Sequence, residues 1–439
     1  MWHDSCVWRG VDEGSALMLD CESWDWDLGT KHLHDLGAVR EAYPEVHEWT
    51  VSDDGERIAV AIVTAPNVFR VWADGSLWEG EFEKAWHLVF TPDARLTALV
   101  RIDDEWTVAI DGTPWEGRWE FVWNPVFNRS GSVIAAQVKD NMEYTVAVNG
   151  RIWDTRFPSS RGLAVSDDGG TVAALVQVEP LAEADIFGFL EGTWSVAVNG
   201  APWDKKFINV YGLTISPDGS HVASEVRLDV CDYTLAEDAT PWREKFGCVW
   251  EPVYRPEGKS LIAPVRANGS WTLAENGSPI WDGRYMQLWN QRLSPDGGRL
   301  AAVAATGFGR WTVVVDDQPW RASFNDLVLP PRFSTDGRRV AAGVRNDGSW
   351  SIAVDGEVWP ETFDMVWDPV FTPDGNRVLA KVERDGHFAV AINGKPWGPW
   401  YEALWEPVVS PDGRRVLIRV VEDGVYSRRV VELDAAQRV

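Results

Sequence analysis

The chain has 439 residues, with 67 Asp and Glu against 41 Lys and Arg, a net charge of −26. That balance excludes a nucleic-acid binder, which needs a basic surface to displace counterions, and it disfavours docking on anionic lipid. Composition is otherwise that of a globular protein, except for 28 tryptophans, several times ordinary usage.

No apolar run approaches the ~18 residues of a membrane span, and the longest, 58–63, is strand length. The opening MWHDSCVWRG has no basic and then apolar stretch of a secretory signal, so a cytoplasmic location is expected. Cys6, Cys21, Cys231 and Cys248 are scattered, with no CxxC or CxxCH. The expectation is reduced, buried thiols, with no c-type haem, iron–sulfur cluster or zinc ribbon.

In chain order, 15–25 (SALMLDCESWD) aligns with 194–204 (WSVAVNGAPWD), so the N-terminus is expected to give third and fourth strands without a first. Segment 28–44 reads as an irregular insert, with 33–43 as one of two helix candidates. The other is the C-terminal tail. A turn of S-P-D-G type then recurs ten times, starting at Ser52, Thr91, Asn128, Ser166, Ser216, Arg255, Ser294, Ser334, Thr372 and Ser410. The spacing is 37 to 40 residues, except for 50 between Ser166 and Ser216. Proline presets φ, aspartate caps the turn, and glycine accepts positive φ.

One unit shows the pattern. WDPVF (367–371) leads into the turn, and 377–382 follows as a strand. Asp385-Gly386 precedes FAVAI (388–392), Asn393-Gly394 is a type I′ hairpin signal, and Pro396-Trp397 begins a last strand. Four short strands per ~39 residues predict an all-β β-propeller of about ten blades. The single propeller would span 1–439: 1–44 a partial blade plus insert, 45–403 nine repeats, and 404–439 a partial closing blade. N- and C-terminal strands would pair to close the ring. Two smaller propellers in tandem are the alternative, and an open array is the remaining one. No Gly/Ser/Pro-rich linker marks a break.

The repeat absorbs 22 of the 28 tryptophans. Trp24, Trp78, Trp115, Trp153, Trp203, Trp242, Trp281, Trp320, Trp359 and Trp397 occupy the fourth-strand position. Trp106, Trp194, Trp271, Trp311 and Trp350 occupy the third, and Trp49, Trp86, Trp123, Trp250, Trp289, Trp367 and Trp405 the first. All are expected to fill the wedges between blades. Trp2, Trp8, Trp26, Trp72, Trp119 and Trp400 fall off register and are interaction candidates. So is the insert 178–192, acidic with an apolar tip at Ile186, Phe187 and Phe189, which reads as a docking element.

Chemical motifs are absent. There is no G-x-S-x-G, P-loop, G-x-G-x-x-G or H-E-x-x-H. The histidines are dispersed, and His32 and His34 share a strand face or lie in a loop, with no metal role expected for them. The acidic residue after the fourth-strand Trp (Asp25, Glu79, Glu116, Asp154, Asp204, Asp282) recurs too regularly to be one active site. No catalytic, cofactor-binding or metal-ligating residue is expected, and no cofactor.

The S-P-D-G turn followed by R-V-A-A-x-V resembles PD40, or TolB-like, propeller repeats, a WD40-like class that speaks to fold alone. The W-[TS]-[VI]-A-V-[ND]-G-x-x-W units, as at 194–203 and 350–359, together with size and tryptophan content, resemble the TmcD family. These are the tryptophan-rich subunits of the Tmc transmembrane electron-transfer complexes of sulfate-reducing bacteria. The resemblance implies a non-catalytic scaffold on the cytoplasmic side of a respiratory complex. Its partners would be an iron–sulfur subunit related to heterodisulfide reductase (HdrD-like), a membrane cytochrome b and a multihaem cytochrome c. A propeller enzyme, or a propeller binding sugar or peptide on its tryptophans, is the alternative.

Overall fold

A computed structural model describes residues 21–183 and 185–434. The chain forms ten antiparallel sheets arranged as one ring, a ten-bladed β-propeller. The third blade is representative: Phe121–Phe127, Ile134–Asp140, Glu143–Val148 and Arg151–Ile152, paired in that order. The tandem-propeller and open-array alternatives are thereby set aside.

Local chemistry builds each blade. In the turn after the first strand, the Ser216 hydroxyl donates to Asp218 at 2.6 Å and accepts from the His221 amide at 2.9 Å. The same bonds recur at Ser294, Ser334 and Ser410, whose side chains are buried. In the turn before the fourth strand, Asn393 and Gly394 have φ of 47° and 86°, a type I′ geometry. The Asn393 side chain also accepts from the Val378 amide at 2.9 Å, pinning the start of the second strand.

Second strands are buried on both faces, as at Ile134–Asp140, where the first five residues are all inaccessible. Neighbouring blades cover both sides, so the strand reads as a continuous apolar run rather than an alternation. The core is accordingly distributed between blades. One wedge joins Ala59, Val71, Trp78 and Phe82 of one blade to Leu96 and Val100 of the next sheet. First strands of adjacent blades lie against one another, as Phe121–Phe127 does against Ser159–Val165, so the sheets converge there toward the axis.

The closing blade corrects the expected N-terminal contribution. The C-terminus supplies three strands, ending in Arg415–Glu422 and Val425–Glu432, and the N-terminus supplies one, Gly29–Asp35. Trp24 precedes that strand instead of lying on it, and the 15–20 part of the expected strand pair lies outside the described residues. Segment 28–44 is thus the closing strand followed by helix α1, Leu36–Ala42, within the expected 33–43. The expected C-terminal helix is in its described part strand.

Two buried arginines seal this seam. Arg428 donates to the Asp54 carbonyl at 2.8 Å and pairs with Glu56 at 3.1 Å. Arg419 donates to the Ser52 carbonyl at 2.9 Å, and the Tyr426 hydroxyl to the Gly55 carbonyl at 2.9 Å.

Candidate interaction surface

The fourth-strand tryptophans dock on glycines. A Cβ at Gly112, Gly150, Gly200, Gly356 or Gly394 would come within 3.0–3.3 Å of Cγ of Trp78, Trp115, Trp153, Trp320 or Trp359 of the preceding blade. At the closing seam His34 takes this place against Gly75, and Trp72 lies edge-on to both His34 and Trp49. In the seventh blade Asp317 replaces the glycine. Its carboxylate accepts from the Asp282 and Gly283 amides and the Tyr285 hydroxyl, at 2.8, 2.9 and 3.0 Å.

Antiparallel order places the turns between strands one and two, and between three and four, on one face of the ring. That face is stitched from blade to blade. Arg57 donates to the Ala94 carbonyl at 2.8 Å, Arg95 to Gly131 at 2.6 Å, Thr171 to Gly219 at 2.7 Å and Arg339 to Gly375 at 3.1 Å. The opposite face carries the hairpins between strands two and three and the links between blades. Most of the exposed large apolar side chains sit there: Phe308, Phe187, Met142, Ile186, Phe121 and Val230, with Phe308 97% and Phe187 81% accessible. Leu28, Ile280 and Val358 are exposed elsewhere.

The insert on this face contains helix α2, Ile186–Glu191. Asp185 caps it by accepting from the Gly188 amide at 2.8 Å. Phe189 turns back under the Arg227 guanidinium, 5.7 Å from its centroid, so of the three expected contact residues it is an anchor. Leu190, missed in the sequence, joins Ile186 and Phe187 on the exposed side.

The six off-register tryptophans separate. Trp72 and Trp119, 6% and 5% accessible, are core residues, contrary to the interaction role expected for them. Trp119 belongs to a fourth repeated aromatic position, four residues after the fourth-strand Trp, filled by Phe82, Phe157, Phe207, Phe246, Tyr285, Phe324, Phe363 and Tyr401, all buried. Each pairs back on its third strand, as Trp119 does on Trp106. Trp26 is half-buried, its indole donating to the Cys21 carbonyl at 2.9 Å, and Trp400 packs half-buried against Arg384. Trp2 and Trp8 lie outside the described residues. Conversely Trp86, expected to be wedge filler, is 53% accessible on its first strand, edge-on to Trp106.

Cys231 is exposed and Cys21 and Cys248 are half-buried, so these three thiols are less buried than expected, and Cys6 lies outside the described residues. Of the two placements expected for His32 and His34, strand or loop, the structure has the strand, Gly29–Asp35; the His32 ring bonds the Ser427 hydroxyl at 2.9 Å. No group of three or more His, Cys, Asp or Glu residues suited to a metal occurs among the described residues. Among the described residues the carboxyl raised furthest is Glu225, buried on a second strand. Desolvation, with the nearby charge of Glu251, pushes it up to about 8. No described helix is long and apolar enough to cross a membrane.

No family model and no curated protein matches the chain. Solved structures similar to it include the crystal structure of the eukaryotic initiation factor, at TM-score 0.46 and 13% identity, covering 77% of this chain and 93% of that one. Another is the structure of the Dos1 propeller, at TM-score 0.37 and 11% identity, covering 88% of this chain and 93% of that one.

Proposed function

We propose that the chain is a non-catalytic interaction scaffold, a rigid ring that organises partner proteins on one face. The observation that carries this reading is the asymmetry between the faces. One face is closed by side chain to carbonyl bonds between blades, and the other gathers the exposed apolar residues and the projecting α2. Exposed apolar residues grouped on one projecting element, as Ile186, Phe187 and Leu190 are on α2, mark a protein interaction site.

The finer assignment rests on the tryptophan-rich repeat units quoted above. It is a subunit on the cytoplasmic side of a membrane-associated respiratory electron-transfer complex, beside an HdrD-like iron–sulfur subunit, a cytochrome b and a multihaem cytochrome c. A ligand-binding propeller is the second reading, favoured by Trp86, half exposed where the blades converge.

The test is purification of the tagged chain from its native cells after mild detergent extraction, followed by mass spectrometry. Stoichiometric co-elution with redox subunits is expected. A chain that elutes alone, or with soluble partners only, overturns the electron-transfer assignment.

A further inference from the structure

We propose that α2 is a docking plug, whose Ile186, Phe187 and Leu190 seat in an apolar groove of a partner protein rimmed by Lys and Arg. The proposal rests on the scaffold reading and names the element that makes the contact.

The helix is clamped to its own blade and to the fifth in a way that leaves its apolar side outward. Gly192 ends it with φ of 89°, and a Cβ there would come within 2.5 Å of the Phe207 backbone, so the helix end is pressed on the ring. Lys206 pairs with Glu179 at 2.8 Å on the approach to the helix. Phe189 lies under Arg227, whose guanidinium also donates to the Val230 carbonyl at 2.6 Å. With the backbone and Phe189 so held, Ile186, Phe187 and Leu190 remain 67%, 81% and 43% accessible. A helix that could fold over its blade would bury these residues. An amphipathic helix offering anchors one and four positions apart is the element that a groove-type receptor takes.

Charge selects the occupant. Residues 179–191 contain Glu179, Glu183, Asp185 and Glu191 and no basic residue. A second copy of this chain, at −26, or an anionic lipid surface would meet the helix with like charge. A partner groove with a basic rim meets it with opposite charge.

The test uses the full chain in native membranes with p-benzoylphenylalanine in place of Phe187. On irradiation the adduct is expected on one partner, in a peptide whose apolar residues are flanked by Lys or Arg. Phe187→Asp is expected to cut co-elution of that partner about tenfold or more, as an anchor residue should. Its thermal midpoint should be unchanged; if it is not, Leu190→Ser serves as the second variant. Adducts confined to this chain or a second copy, or co-elution that survives both substitutions, overturn the plug while an intact complex leaves the scaffold reading standing. A chain that co-elutes with nothing overturns both.

Discussion

Gly394 carries a φ of 86°, and a Cβ added to it would sit 3.0 Å from Cγ of Trp359 on the preceding blade. Two constraints therefore meet at one position: a left-handed backbone and an indole lying on it. Trp359 is 8% accessible, so Trp359→Ala should cost ~3–5 kcal/mol through lost burial and a residual cavity. Gly394→Ala should cost ~1–2 kcal/mol from its backbone alone, plus the displacement of the ring. In the double variant the steric part disappears, because nothing remains to be displaced. The combined loss should fall short of the sum by ~0.5–2 kcal/mol, read from urea unfolding of the four proteins. Strict additivity would mean that the indole does not bear on the turn.

Among the elements, the hairpins were legible and two others were not. Asn-Gly and Ser-Pro-Asp-Gly carry their conformation in their own side chains, so spacing alone located them. The closing strand, GTKHLHD, has no apolar alternation, and most of its residues are exposed. It is a strand because Val425–Glu432, some 400 residues away, offers an unpaired edge. The fourth aromatic position was hidden because Phe and Tyr hold it in eight of the nine blades that have it, and attention to tryptophan alone leaves Trp119 looking exceptional. Phe308 was not singled out from the sequence, although its neighbours signal its exposure. Between Gly307 and Gly309 in a hairpin it has no core to enter. The insert with α2 lies outside the period altogether, and none of its helical residues is buried. Replacing 179–192 by a two-residue Asn-Gly turn, like the hairpins of the other blades, should therefore change stability by no more than about 1 kcal/mol. Thermal melting by circular dichroism checks this. A large fall would make the insert part of the blade's core rather than a presented element.

At the scale of the molecule, closure decides how the repeats share stability. An open array of blades resembles a one-dimensional chain in which each unit is supported by its neighbours and the ends fray. The ring has no ends as long as Gly29–Asp35 stays paired with Val425–Glu432 and the seam holds. That seam differs from the other wedges. Arg428, 2% accessible, and Arg419, 4% accessible, reach carbonyls of the first blade's turn from buried positions, whereas Arg57, Arg95 and Arg339, which bond the next turn at other wedges, are partly exposed. Removing one such arginine leaves seam carbonyls without donors, and removing Arg428 also takes one of Glu56's two cationic partners, Lys31 remaining, a loss of ~1–3 kcal/mol. Arg428→Ala should therefore convert the ring into an array with two frayed ends. Hydrogen exchange at sub-denaturing urea should then show amides of the first and closing blades exposed before those of the fifth and sixth. In the unaltered ring the blades should lose protection together. Equal loss in every blade of the variant would show that closure is carried by the strand pairing alone, with the arginines contributing nothing to it.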